Sequence, residues 1–278
     1  MNKSEKIISN ARKGNFLAGL PDLLEIASRK GGARGPVWEA AAAAVQILFW
    51  TGEFARAADL TQSLIERDGP LGGELCDQST PFRSALLAGQ LYADEPAAPR
   101  LAACAERIPD GRHLRRDLEW LSQELPRQGV EPLLPCHSDW GGAVRPLDGV
   151  IGAGLIERNY QELGRSQRRL VWEALSETND FGRAHQLLTD TGDEPEQYSV
   201  CLWMAGWYAA RGEVEHGERM LLAAHGRWWP FAKWDAIPDA PVVQPVLRSV
   251  VTDKVRDHYL TRPIGPAALP PPATRTDP

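Results

Sequence analysis

The chain has 278 residues, an apolar fraction of 43% and a formal net charge of −6. That length and composition allow a sizeable buried core in one large or two ordinary domains. The acidic balance argues against a protein that coats phosphate backbones, so nucleic acid is not the expected partner.

The four cysteines, Cys76, Cys104, Cys136 and Cys201, stand far apart and form no CxxC pair. That spacing suits small core hydrophobes better than a zinc site or a disulfide framework, so no metal and no cofactor is expected. The N-terminus MNKSEKIISNARKGNF has no apolar h-region, and no run approaches 18 uncharged apolar residues. The chain therefore reads as cytoplasmic, without a membrane span. The basic clusters (Lys3, Lys6, Arg12 and Lys13; Arg112, Arg115 and Arg116; Arg165, Arg168 and Arg169) read as solvated helix faces.

In chain order, the first organised feature is a turn, GNFLAG at 14–19. It recurs as GEFARA at 52–57, NDFGRA at 179–184 and GEVEHG at 212–217. Each instance has a turn residue, a polar residue, a hydrophobe, two variable residues and then Ala or Gly. The pattern predicts a helix that ends on a left-handed Gly or Asn and a second helix that starts at once. The hydrophobe and the small residue share one face of that second helix, where a small side chain lets antiparallel helices approach.

The flanks agree. VWEAAAAAVQILFWT at 37–51 is alanine-rich and favours helix. EFARAADLTQSLIER at 53–67 is amphipathic, with Ala57, Leu60 and Leu64 on one stripe, and Asp68-Gly69-Pro70 stops it. Later, 199–211 and 213–225 form the same helix–turn–helix unit, with Tyr208 near the turn and Leu221 and Ala224 on the inner face. A further helix resumes at GRSQRRLVWEALSETNDF, with Ser166 as its cap.

These units resemble the tetratricopeptide repeat, whose units of about 34 residues carry a Gly-Asp/Glu-Tyr/Phe turn followed by Ala and often a closing Pro. GEFARAADLTQSLIERDGP matches the second half of that pattern. Gly52 follows Gly14 by 38 residues, and Gly212 follows Asn179 by 33. The first-helix Trp and Gly are mostly missing, Gly stands for Ala at 19 and 217, and Pro21 enters its helix early. The resemblance covers residues 5–125 and 160–226. It implies an all-α, TPR-like α-solenoid of antiparallel helix pairs that binds a protein or peptide and performs no chemistry. The division expected is 1–125 for the first repeats, 126–159 for a connecting loop, 160–226 for the second repeats, 227–262 for an aromatic cap and 263–278 for a disordered tail.

Between Pro126 and Gly154 the helical pattern fails, in a run with four prolines and six glycines. Within it lies CHSDW, where Cys136, His137, Asp139 and Trp140 form the densest set of reactive side chains. A nucleophile–base pair and a metal site are both conceivable there. Adjacent residues of an extended segment point apart, however, and no second cluster supplies further ligands. A structural loop is the stronger reading, with His137, Asp139 and Trp140 as partner-contact candidates. GVIGAGL at 149–155 is glycine-rich like a dinucleotide loop, but lacks a β-rich flank and an acidic partner, so it reads as a hinge. The chain has no GxxxxGK[ST], HExxH or GxSxG motif. His113, His185, His216, His225 and His258 are scattered singly, as surface or capping residues.

HGRWWPFAKWD at 225–235 packs Trp228, Trp229 and Trp234 close together, with Gly226 as the expected C-cap of the preceding helix. The last repeat of a solenoid exposes an apolar face that must be covered. Capping of that face, by Trp228, Trp229, Phe231 and Trp234 with Val246, Leu247 and Val251, is the preferred reading, with at least two of the three tryptophans expected to matter for stability. An aromatic partner-binding platform is the alternative. A short helix near 252–260, capped by Thr252 or Asp253, follows, and PAALPPPATRTDP closes the chain.

The functional expectation is a non-catalytic helical-repeat protein that binds one protein stoichiometrically, such as an immunity or antitoxin protein masking a toxin enzyme. A peptide-binding adaptor or chaperone is the second expectation. An enzyme using Cys136, His137 and Asp139 is the third.

Overall fold

The computed structural model describes residues 1–29, 34–71, 79–134, 154–156 and 159–265, and among these there is no β-strand. The chain divides into two compact units. The first comprises Met1–Pro135, Trp229–Pro245 and Arg256–Pro278; the second comprises Cys136–Trp228 and Val246–Val255. No helix among the described residues is long and apolar enough to cross a membrane.

The first unit contains α1 (Lys3–Ala11), α2 (Phe16–Ser28), α3 (Arg34–Trp50), α4 (Phe54–Asp68), α5 (Ser79–Ala93), α6 (Ala97–Glu106) and α7 (His113–Gln128). Neighbours in sequence pack against one another, α2 with α3, α4 with α5, and α6 with α7. At the centre lies α3, whose run Val37–Trp50 is buried on every side. A helix apolar all round has no solvent face to offer and is driven to the middle of its layer. Glu39 and Gln46 are the polar exceptions, and both are buried.

The second unit contains α8 (Arg165–Glu177), α9 (Phe181–Thr191), α10 (Tyr198–Ala210) and α11 (Val214–Arg227). Here α10 takes the central place, with Val200–Ala205 buried without interruption.

The four recurrent turns form as the pattern predicts. Gly14, Gly52, Asn179 and Gly212 have φ of +94°, +79°, +53° and +73°. At the second turn the Gly52 amide donates to the Phe49 carbonyl (3.0 Å) and the Glu53 amide to that of Leu48 (2.9 Å). This paired closure satisfies two of the last free carbonyls of α3. The polar residue that follows is the N-cap in each case, but only Asp180 caps through its side chain, accepting from the Arg183 amide at 3.1 Å.

Behind the turns the small residues are buried: Gly19, Ala57, Ala184 and Gly217. Phe16 and Phe54 are buried beside them, and Phe181 stacks on Trp203 at 4.1 Å; Val214 instead faces outward. Two glycines that depart from the repeat pattern have packing reasons. A Cβ on Gly19 would lie 3.3 Å from Ile7 Cγ2, and one on Gly217 would lie 2.4 Å from Val250 Cγ1. Pro21 sits inside α2 on its exposed side, where the carbonyl it leaves unpaired meets water.

Several boundaries differ from expectation. α7 continues past Pro126 to Gln128 and ends on Gly129 at φ +79°, followed by a 3-10 turn, Glu131–Leu133. The N-cap of α8 is Gly164, whereas Ser166 lies inside the helix. Gly226 also lies inside its helix, and α11 ends on Trp228 in an extended conformation. Leu60 is half-buried, so the stripe on α4 rests on Ala57 and Leu64.

After α11 the chain re-enters the first unit with a short helix, α12 (Ala240–Val243). It then makes a 3-10 turn (Pro245–Val250) and ends in α13 (Asp253–Thr261). Thr252 caps α13, accepting from the Val255 amide at 3.3 Å. The end of α13 closes on the first turn: the Ile264 amide donates to the Arg12 carbonyl at 2.8 Å, and Gly14 has no room for a Cβ beside Thr261.

Covering of the last helix pair is the work of the 3-10 turn. Leu247 and Val250 are fully buried, and the turn approaches Gly206 and Gly217 of α10 and α11. Within the second unit Glu218 of α11 holds the start of α13 through Thr252 (2.7 Å) and Lys254.

Candidate functional site

The tryptophan-rich stretch divides between the two units. Trp228 is buried in the second, and Trp229 and Trp234 belong to the first. The helix before it stops because Pro230 has no amide to donate. Trp228 is extended, and the chain then bends and turns through 231–234. Trp229 is 60% exposed and Phe231 89%, while Trp234 is half-buried. Trp228 faces a core, whereas Trp229 and Phe231, read from the sequence as capping residues, instead form an outward edge.

That edge stands on a braced backbone. Arg12, the C-cap of α1, donates from Nε to the Asp235 carbonyl (2.7 Å) and from Nη2 to the carbonyls of Ala232 (3.0 Å) and Lys233 (3.1 Å). The Asp235 carboxylate accepts from the Ala232 amide at 2.8 Å and from Gln46 Nε2 at 3.3 Å. Gln46 in turn accepts from the Ala236 amide at 2.8 Å. Trp50 Nε1 donates to the Pro238 carbonyl (2.6 Å), and Tyr92 Oη to that of Val243 (3.0 Å). Four side chains on α1, α3 and α5 therefore supply the partners that a buried loop backbone needs.

Lys233 lies between two carboxylates, 2.5 Å from Glu39 and 3.2 Å from Glu5. Its hydrogen bonds to Glu39 and Glu5 hold its pKa above the usual lysine value. Glu5 is held below the usual carboxylate range, first by the Asn2 amide and then by Lys233. Burial lowers the Arg12 pKa and raises that of Asp235, each partly offset by the other's charge.

Arg12 is thus a bracing residue of this site and not a solvated one, whereas Lys3, Lys6 and Lys13 are exposed. Gln46 and Glu39 left a trace in the sequence, as polar residues within an otherwise apolar helix. Arg12 left none, because its acceptors lie more than two hundred positions away.

Cys136, His137, Asp139 and Trp140 lie outside the described residues. The histidines are less isolated than their spacing suggested. In the second unit His185 Nδ1 lies 2.9 Å from Tyr208 Oη, and the His216 ring stacks on Tyr208 at 5.0 Å. His225 is buried. Burial raises Tyr208 to about 12, so the phenol stays neutral as the hub of that cluster. Cys104 and Cys201 are buried, and burial raises their thiols to about 11 and 12. Burial thus disfavours the thiolate at both positions. Among the described residues no three His, Cys, Asp or Glu side chains converge as metal ligands.

A second cleft in this unit, of about 470 Å³, is lined by Arg165, Arg168, Arg169 and Arg227. Each arginine is paired with a carboxylate: Glu196, Asp193, Glu173 and Glu194 respectively. Among the described residues the cleft therefore shows no arginine without a carboxylate partner.

Fold and site together define an all-α protein of packed helix pairs that carries a braced aromatic loop. No protein-family model, no curated protein and no solved structure matches the chain.

Proposed function

We propose that this chain is a non-catalytic, TPR-like helical-repeat protein that binds one protein partner stoichiometrically, with Trp229 and Phe231 as anchors. The observation that carries this reading is the exposure of two large aromatic rings next to a backbone segment, Ala232–Asp235, held by Arg12, Gln46 and Asp235. Exposed rings on a rigid mount bind with little loss of conformational entropy, and aromatic residues dominate interface energetics. The net charge of −6 suits a basic partner. An immunity or antitoxin protein that masks a toxin enzyme is one concrete form.

A peptide-holding adaptor is the second reading. It draws on a cleft of about 240 Å³ in the second unit, lined by Leu155, Ile156, Val171, Leu175 and Leu187. That volume accommodates one or two apolar side chains of a peptide.

Native mass spectrometry of the tagged chain recovered from its host separates the two. A single partner at 1:1 supports the dedicated-binder reading, and a heterogeneous set of peptides contradicts it.

A further inference from the structure

The short helix α12 begins at Asp239, which is fully buried. The backbone amides of Asp239 and Ala240 favour its charged form, but neither makes a well-formed cap hydrogen bond to the side chain. Among the described residues neither oxygen accepts a hydrogen bond. A buried carboxylate with no well-formed donor is disfavoured as an anion.

The two charges that act on it, Asp235 and Arg83, give little relief, and the other charged groups of the segment are already engaged. On its own segment Asp235, also buried, adds a like charge. From α5, Arg83 attracts it only weakly, and the Arg83 Nε is itself buried without an acceptor among the described residues. From α1, Arg12 is engaged by the carbonyls of Ala232, Lys233 and Asp235. From α3, Glu39 is taken up by Lys233 and Gln46 by Asp235 and Ala236. Burial, chiefly, pushes the Asp239 carboxyl up to about 8.

Asp239 also sits between two of the bonds that seat the segment, Trp50 to the Pro238 carbonyl and Tyr92 to the Val243 carbonyl. We propose that Asp239 is a proton-operated latch: its protonated carboxyl lets Ala232–Val243 seat on α1, α3 and α5, and transfer of that proton to solvent weakens the seating and loosens the Trp229–Phe231 edge. This device goes beyond partner binding and does not depend on it.

Hydrogen exchange of peptides spanning 232–243, corrected for intrinsic rate and measured from pH 5 to 9, tests the latch. An opening that exposes Asp239 lets the acid ionise, so protection should fall about tenfold per pH unit between 5 and 7 and level off above about 8. Asp239→Asn keeps the shape of the protonated acid and should remove the slope. Protection independent of pH in the wild type, or an equal slope in Asp239→Asn, overturns the proposal. Should that variant not fold, the 13C carboxyl resonance of Asp239 in the folded wild type decides. Titration near pH 8 supports the latch, and titration near pH 4 contradicts it.

Discussion

Gly217 shows how one absent methyl sets the distance between elements. Val250 occupies the space where its Cβ would stand, at 2.4 Å. Gly217→Ala should therefore destabilise the second unit by about 1–3 kcal/mol through overpacking, read as a lowered midpoint in urea. An unchanged midpoint would mean that Val250 does not press on α11. Trp228 and Trp229 make a sharper pair, because neighbours in sequence receive opposite roles. Trp228 is 6% exposed, and Trp228→Ala should cost about 3–5 kcal/mol. Trp229→Ala should leave stability within about 0.5 kcal/mol. Thermal melts of both variants check this, and equal losses would contradict the assignment of faces. The concentration of tryptophan was plain in the sequence. Which ring faces outward was not, since that depends on where Pro230 breaks the helix and on which unit receives each residue.

At the scale of elements, the four turns were legible because their signal is local. Left-handed geometry at Gly52 or Asn179 and a small residue five positions on are properties of a few consecutive residues. Ala57 is fully buried behind such a turn, and Ala57→Leu should destabilise by roughly 1–3 kcal/mol. A melting temperature equal to wild type would place Ala57 on a tolerant face. The re-entrant segment 229–245 was not legible, because it is held by Arg12, Gln46, Trp50 and Tyr92, residues far away in the chain. Its aromatic pattern reads as a cap on the last repeat; of the residues so read Leu247 is fully buried, with Val250 beside it, whereas Phe231 is exposed. Arg12 is the most economical probe of this element. Arg12→Ala removes the donors for three carbonyls, and limited proteolysis after Lys233 should become faster than in wild type while the helical circular dichroism is retained. Equal cleavage rates would show that the loop is held without Arg12.

For the molecule as a whole, ionisable groups impose two opposite trends. Glu5, Glu53, Glu213 and Glu218 are held below the usual carboxylate value, first by the Asn2 amide at Glu5 and by Arg56, Arg211 and Lys254 at the others. Their contribution is present above about pH 4.5 and is lost as pH falls through the lowered values. Asp239 works the other way. Its folded value of about 8 exceeds the ordinary aspartate value of 3.8, so stability falls as pH rises between those values and is level above them. The melting temperature should accordingly peak on the acidic side of neutrality, and Asp239→Asn should flatten the decline towards pH 8. A maximum at alkaline pH would contradict this account.

The most direct test of the central claim joins stability and binding in one double variant. Trp229→Ala with Phe231→Ala removes the outward edge and leaves Arg12, Gln46, Asp235 and the buried Trp228 in place. With the partner recovered from the host, titration calorimetry should show affinity weakened by at least about 2 kcal/mol, some thirtyfold. The melting temperature should stay at the wild-type value. Wild-type affinity in that double variant would show that the partner engages another surface and that the braced aromatic edge is not the binding site.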